Sequence, residues 1–134
     1  MTTILVVEDD ADIRNLLVDT IVDMGCPVID AEDGGIGLEK ALSESPDIIL
    51  LDLMMPVMDG YEVLTELKKC PETKAIPVIM VSAKGQDEDV GRALRAGAWG
   101  YLVKPWQHGQ LESVITGAEK QIKLDRAAMR SAVR

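Results

Sequence analysis

Five short runs of consecutive apolar, largely β-branched residues alternate along the chain with segments whose apolar positions recur at three- and four-residue steps. Thr3-Ile-Leu-Val-Val-Glu8 is the first run and leads into Glu8-Asp9-Asp10. A buried strand running into an acidic tip is the simplest reading. From Ala11 the rhythm changes: Ile13, Leu16, Leu17, Ile21 and Met24 predict an amphipathic helix, closed by Gly25 and Pro27. Pro27–Ala31 predicts a second, shorter strand, and Ile36, Leu38, Ala41 and Leu42 a helix diluted by Gly34, Gly35 and Gly37. Asp47–Asp52 is the most strand-like run, followed by Met54, Met55 and Pro56 and by an Asp59-Gly60 turn signal. Val63, Leu64 and Leu67 mark a third helix broken at Pro71, and Ile76–Val81 a fourth strand ending at Ser82. Asp87–Ala96 reads as a fourth helix with Gly97 as its C-cap. Tyr101–Val103 makes a fifth strand ending at Lys104-Pro105, and Leu111, Val114, Ile115, Ala118 and Ile122 mark the final helix. Strands apolar on both faces, alternating with helices, predict an α/β doubly wound parallel sheet with helices on both faces.

At 134 residues the chain is one domain's worth, and 47% hydrophobic with 28% charged residues can bury a core. No apolar run is long enough to span a membrane and the N-terminus has no export signal, so a cytoplasmic location is expected. Cys26 and Cys70 lie far apart with no C-x-x-C, and are expected to be reduced packing residues. The net charge of −9 is unevenly spread: residues 1–62 sum to −13 and residues 63–134 to +4. Such an acidic first half is a poor partner for nucleic acid and a natural one for a divalent cation.

Four strand ends carry polar or charged groups: Glu8 with Asp9, Asp52, Ser82 and Lys104. In an open parallel sheet the carboxyl ends of the strands form the ligand crevice, so these groups are expected to converge. Three carboxylates together need a positive partner, and hard oxygen donors favour Mg²⁺, or Mn²⁺ in its place. One carboxylate can then act as a nucleophile toward a phosphoryl group, with Lys104 neutralising charge and Ser82 donating a hydrogen bond. Asp52, flanked by Leu51 and Leu53 at the end of the most apolar strand, is the best nucleophile; Glu8 and Asp9 look like a metal-holding pair. Asp10 reads as a helix N-cap. The Gly34-Gly35-Ile36-Gly37 stretch lacks the Lys-Ser/Thr of a phosphate loop and reads as a loose helix start.

Val6-Val-Glu-Asp9, Leu51-Asp52-Leu-Met-Met-Pro56 with Met58-Asp-Gly60, Val81-Ser-Ala83 and Gly100-Tyr-Leu-Val-Lys-Pro105 resemble the motif set of two-component response-regulator receiver domains of the CheY-like family. The likeness runs in unbroken order over about residues 3–122. It implies a flavodoxin-like (βα)5 fold with strand order 2-1-3-4-5, and Asp52 as the phosphoacceptor from the phospho-His of a histidine kinase or phosphotransfer protein. It further implies Glu8 and Asp9 as the acidic pair, the Met54 backbone carbonyl as a further Mg²⁺ ligand, and Ser82 with Tyr101 as the switch pair. A cis Lys104-Pro105 bond is implied as well. A receiver of this kind is a signalling module rather than an enzyme, and engages an output domain or protein through its fourth helix, fifth strand and fifth helix.

The sequence departs from the family's common pattern at three places. Glu8 stands where many relatives have Asp, keeping the metal-binding oxygen one methylene further out. Trp106 stands where Phe is common, and Ala98-Trp99-Gly100 replaces an acidic pair often found in regulators with a winged-helix output. An alternative reading is a Mg²⁺-dependent phosphatase of haloacid-dehalogenase type, which also uses a strand-end Asp but expects a second acid where this chain has Met54.

Residues 1–122 are thus read as the receiver and 123–134 as a helical extension, a linker or tail. Lys120–Arg134 holds five basic residues and one acidic, with no Gly or Pro to stop a helix. Met129 and Val133 continue the apolar stripe of Leu111, Ile115, Ala118 and Ile122, but Asp125-Arg126 interrupts it. Weak, concentration-dependent self-association is expected from so short a seam.

Overall fold

The computed structural model describes residues 2–133. Strands β1 (Ile4–Val7), β2 (Val28–Ala31), β3 (Ile48–Asp52), β4 (Val78–Ser82) and β5 (Gly100–Val103) alternate with helices α1 (Ala11–Asp23), α2 (Gly34–Glu44), α3 (Gly60–Lys69), α4 (Asp87–Arg95) and α5 (Gln110–Val133). The sheet is wholly parallel in the order β2-β1-β3-β4-β5, the flavodoxin-like arrangement. Pro77 sets where β4 begins: it has no N–H to give to the ladder, and only its carbonyl pairs, with Ile49 N at 3.0 Å.

Alternation along the strands divides the core in two. Leu5, Val7, Ile49, Leu51 and Met80 face α2 and α3, meeting Ala41, Val63, Leu64 and Leu67. Ile4, Val6, Ile48, Leu50, Ile79 and Val81 face the other way, onto Leu17 and Ile21 of α1 and Leu111, Ile115 and Ala118 of α5. Side-chain oxygens cap three helix starts: Asp10 accepts from Asp12 N and Ile13 N, Asp33 from Ile36 N, and Asp59 forms a reciprocal box with Glu62. The glycine-rich stretch opens α2, and its small residues do the packing. A Cβ on Gly37 would lie 2.8 Å from both methyls of Val7. This is why Leu42, counted in that helix's apolar stripe from its spacing, is exposed. Leu16 of α1 is exposed too, because Leu17 and Ile21 already fill the contact with the sheet.

The turn from β3 into α3 is tight. A Cβ on Gly60 would sit 2.5 Å from the carbonyl oxygen of Asp52 and 2.7 Å from Leu53 Cα, so only glycine lets the helix start against the strand end. Within that turn Val57 holds φ at +69° with its side chain in solvent. A β-branched residue there costs about 1–2 kcal/mol, more than the chain entropy that glycine would forfeit. Val57→Gly is therefore expected to stabilise the fold by about 0.5–1 kcal/mol in urea unfolding. A lowered midpoint would show that the turn carries no such strain.

Helix α5 runs well past the sheet. Leu111, Ile115 and Ala118 are buried and Ile122 is half-buried, whereas Leu124 and Met129 are exposed. Arg126 reaches back to Asp47 at 3.3 Å. Arg134 and the side chain of Val133, the last members of the expected tail and its stripe, lie outside the described residues. Among the described residues, no helix is long and apolar enough to cross a membrane, and Cys26 and Cys70 are both free.

Candidate functional site

Parallel strands all present their carboxyl ends to one side, and here that side gathers Glu8, Asp9, Asp52, Ser82 and Lys104. One carboxylate oxygen from each of Glu8, Asp9 and Asp52 lies within 4.8 Å of the others. Glu8 and Asp52 are buried and Asp9 is exposed, so the cluster opens to solvent on the Asp9 side. Lys104 Nζ lies 2.8 Å from Glu8 Oε1 and 3.4 Å from Asp52 Oδ1. The Met54 N–H donates to Asp52 Oδ1 at 3.2 Å, and the Asp10 N–H to Glu8 Oε2 at 3.3 Å.

Burial, a hydrogen bond shared with Glu8 and the charge of Glu8 together push the Asp52 carboxyl up to about 8, against the opposing pull of Lys104 and the Met54 N–H. Burial works against the Lys104 ammonium, yet its hydrogen bond to Glu8 and the charges of Asp52 and Glu8 outweigh that and raise it. One ammonium against three carboxylates leaves negative charge uncompensated. The donors are all oxygens, with neither His nor Cys among them. That set fits a hard divalent cation such as Mg²⁺, which takes one or two carboxylates and keeps several waters.

Beside this cluster, Ser82 ends β4 with its hydroxyl buried, accepting from the Lys84 N–H at 3.1 Å. The Tyr101 hydroxyl donates to the carbonyl of the same Lys84. A single residue thus engages both members of the expected switch pair from opposite ends of its backbone. Burial pushes the Tyr101 phenol up. The Lys104–Pro105 bond is cis. Past it, Trp106 borders an apolar hollow of roughly 400 Å³ with Ile13, Leu16 and Pro105.

Two contributions were not visible in side-chain identities. Lys84 acts through its backbone. Arg14 was missed altogether: its guanidinium donates to the carbonyl of Glu8 at 2.8 Å and reaches that of Asp9 at 3.5 Å. Its place one turn into α1, following Asp10 and Asp12, makes it read as an ordinary helix-surface arginine, because its partners at this end are main-chain oxygens.

The profile of the response regulator receiver domain matches residues 4–116. The chain belongs to this family. The receiver is 40% identical over 105 residues to the protein PilH of Pseudomonas aeruginosa, a match spanning 78% of this chain and 87% of PilH. It is 36% identical over 119 residues to the phosphate regulon transcriptional regulatory protein PhoB of Escherichia coli, covering 89% of this chain and 52% of PhoB. The chain thus spans most of one relative and about half of the other. Among solved structures, the chemotaxis response regulator CheY4 of Vibrio cholerae superposes with a TM-score of 0.83 at 31% identity, over 88% of this receiver and 98% of that chain. The phosphatase alternative is not favoured, since the match to the receiver family is unbroken across the site and the position it needs as a second acid is Met54. The chain is a receiver domain of two-component signalling, and its acidic pocket fits Mg²⁺ binding and phosphorylation of an aspartate.

Proposed function

We propose that the protein accepts a phosphoryl group on Asp52 from the phospho-His of a histidine kinase or phosphotransfer protein, with Mg²⁺ or Mn²⁺ held by Glu8, Asp9, Asp52 and the Met54 carbonyl. The observation that carries this reading is the convergence of three carboxylates and Lys104 at the ends of β1, β3 and β5. When bound, the cation holds Asp52 ionised and draws charge from the phosphoryl oxygens. An Asp52 carboxylate oxygen forms the new O–P bond as the P–N bond of the phosphohistidine breaks, its electron pair staying on the imidazole. Lys104, already within reach of Asp52, pairs with a phosphoryl oxygen, and the Ser82 hydroxyl donates to another. Turning from Lys84 to the phosphoryl group, Ser82 frees space that the Tyr101 ring can take, and the face of α4, β5 and α5 changes for an output domain or protein. Residues 1–122 carry this chemistry in a cytoplasmic setting, and 123–134 extend α5 as a linker or tail. Incubation with acetyl phosphate and Mg²⁺ tests the proposal: the intact mass should rise by one phosphoryl group. No gain, or an equal gain in excess chelator, defeats it.

The acyl phosphate is expected to be long-lived. Hydrolysis needs a water aligned behind the phosphorus, which polar side chains two residues after Asp52 and two after Ser82 can hold. Those positions are Met54 and Lys84, both exposed at the mouth of the site. A thioether accepts only weakly, and a lysine can lean over the phosphoryl oxygens and block approach. Dephosphorylation of a Met54→Asn, Lys84→Glu double variant should be faster by about tenfold, below the roughly 10²–10⁴-fold of a full general base because these side chains only orient the water. Unchanged or slower decay would count against this assignment.

A further inference from the structure

Arg14 lies outside the cluster of carboxylates, yet it grips the backbone that carries two of them. It sits one turn into α1, whose first turn is fixed by Asp10: the Asp10 side chain accepts from Asp12 N and Ile13 N, and its carbonyl accepts from Arg14 N at 2.8 Å. From that anchored start the Arg14 side chain folds back under the β1–α1 turn, 16% exposed, and donates from Nη1 to the carbonyls of Glu8 and Asp9. Its Nε lies 3.5 Å from Asp30 Oδ2 at the end of β2. The guanidinium therefore ties together the backbone of the two acidic residues and the end of the neighbouring strand. A rigid, planar fork is suited to this, since it satisfies several acceptors in one fixed geometry where an ammonium would act as a point charge.

We infer that Arg14 is a positioning residue for the divalent-cation site: by gripping the Glu8 and Asp9 carbonyls it fixes where both carboxylates point, with Asp30 offsetting its charge. The offset matters because an unpaired cation beneath the turn would repel the metal. The pair supplies fixed donors without placing a full positive charge against the site. Released from Arg14, the Glu8–Asp9 backbone can rotate, and the two carboxylates must be reassembled each time a cation binds. That loss falls on cation affinity rather than on the transfer step.

The inference rests on the metal reading above, and the experiment separates the two. Free Mn²⁺ is measured by its EPR signal during titration of the full chain, for wild type, Arg14→Gln and Arg14→Lys, alongside melting without any cation. Arg14→Gln should bind Mn²⁺ about tenfold more weakly, in the range known for groups that orient metal ligands, with Arg14→Lys in between. Phosphorylation by acetyl phosphate should need correspondingly more Mg²⁺ in Arg14→Gln while reaching a similar maximal rate. An Arg14 that acted only through its charge would give the opposite sign, tighter binding in Arg14→Gln. One that only stabilised the fold would lower the melting temperature of both variants and leave Mn²⁺ affinity within twofold of wild type. Either result overturns the inference. Should Arg14→Gln fail to fold, unaltered affinity in Arg14→Lys overturns it and a severalfold loss upholds it. Failure of the wild type itself to bind Mn²⁺ would overturn the metal reading and this inference with it.

Discussion

Asp52→Asn is expected to gain no phosphoryl mass from acetyl phosphate at any Mg²⁺ concentration, while the wild type is converted in the same buffer. The amide keeps the shape of the carboxyl and the contact with the Met54 N–H through its carbonyl oxygen, so loss of reaction reports the nucleophile rather than a collapsed site. Neither of the other two carboxylates of the cluster is placed to take over. Glu8 is buried and held by Lys104 at 2.8 Å, and Asp9 is at the open edge, away from the Ser82 end of the site. Peptide mapping of the phosphorylated wild type should find the label on the β3–α3 segment alone. Undiminished labelling of Asp52→Asn would place the phosphoacceptor elsewhere and remove the main support of the proposed function.

Lys104→Met should be the most destabilising change at the site when no divalent cation is present. Removing the ammonium leaves Glu8 and Asp52 buried without their counter-charge. Breaking a buried pair costs about 3–5 kcal/mol, and the open Asp9 side brings this to about 2–4 kcal/mol here. The pH dependence has a definite sign. Asp52 binds its proton more tightly folded than unfolded, up to about 8, so its contribution to stability is complete below the ordinary carboxylate range and is lost as pH rises toward 8. The variant lacks the positive charge that opposes this and keeps only the Met54 N–H. Its deficit in urea unfolding with chelator should therefore be small near about pH 5 and largest near about pH 8.5, and Mg²⁺ should recover most of it. A deficit equal at both pH values would mean that Lys104 acts by packing its aliphatic stem, not by its charge.

How far the sequence disclosed this molecule depends on which atoms do the work. β1, β3 and β4 are buried on both faces, so unbroken apolar runs marked them within a residue or two. Their polar terminal residues marked the site, because a parallel sheet leaves side chains at its carboxyl ends nowhere else to point. Helix faces were harder. Periodicity counts Leu16 and Leu42 as equal to their neighbours, but the contact with the sheet is made by Leu17, Ile21, Gly37 and Ala41, and small residues carry little weight in a hydrophobic pattern. The parts that hold the site in place were hidden for a different reason. Arg14 and Lys84 act on or through main-chain groups, which every residue possesses. The sequence cannot say which carbonyl a guanidinium will find until the chain has turned back on itself.

The 24 residues of α5 make a rod about 36 Å long, and its packed part ends near Ile122. Pivoted about that packed half, a tilt of about 10° would sweep the far tip through roughly 3–6 Å, an amplification set only by the length of the rod. The brake on such a swing is the exposed Arg126–Asp47 pair, worth no more than about 1 kcal/mol. A small rearrangement where β5 meets α5 would in this way be converted, by leverage alone, into a displacement of several ångströms at the far end of the helix.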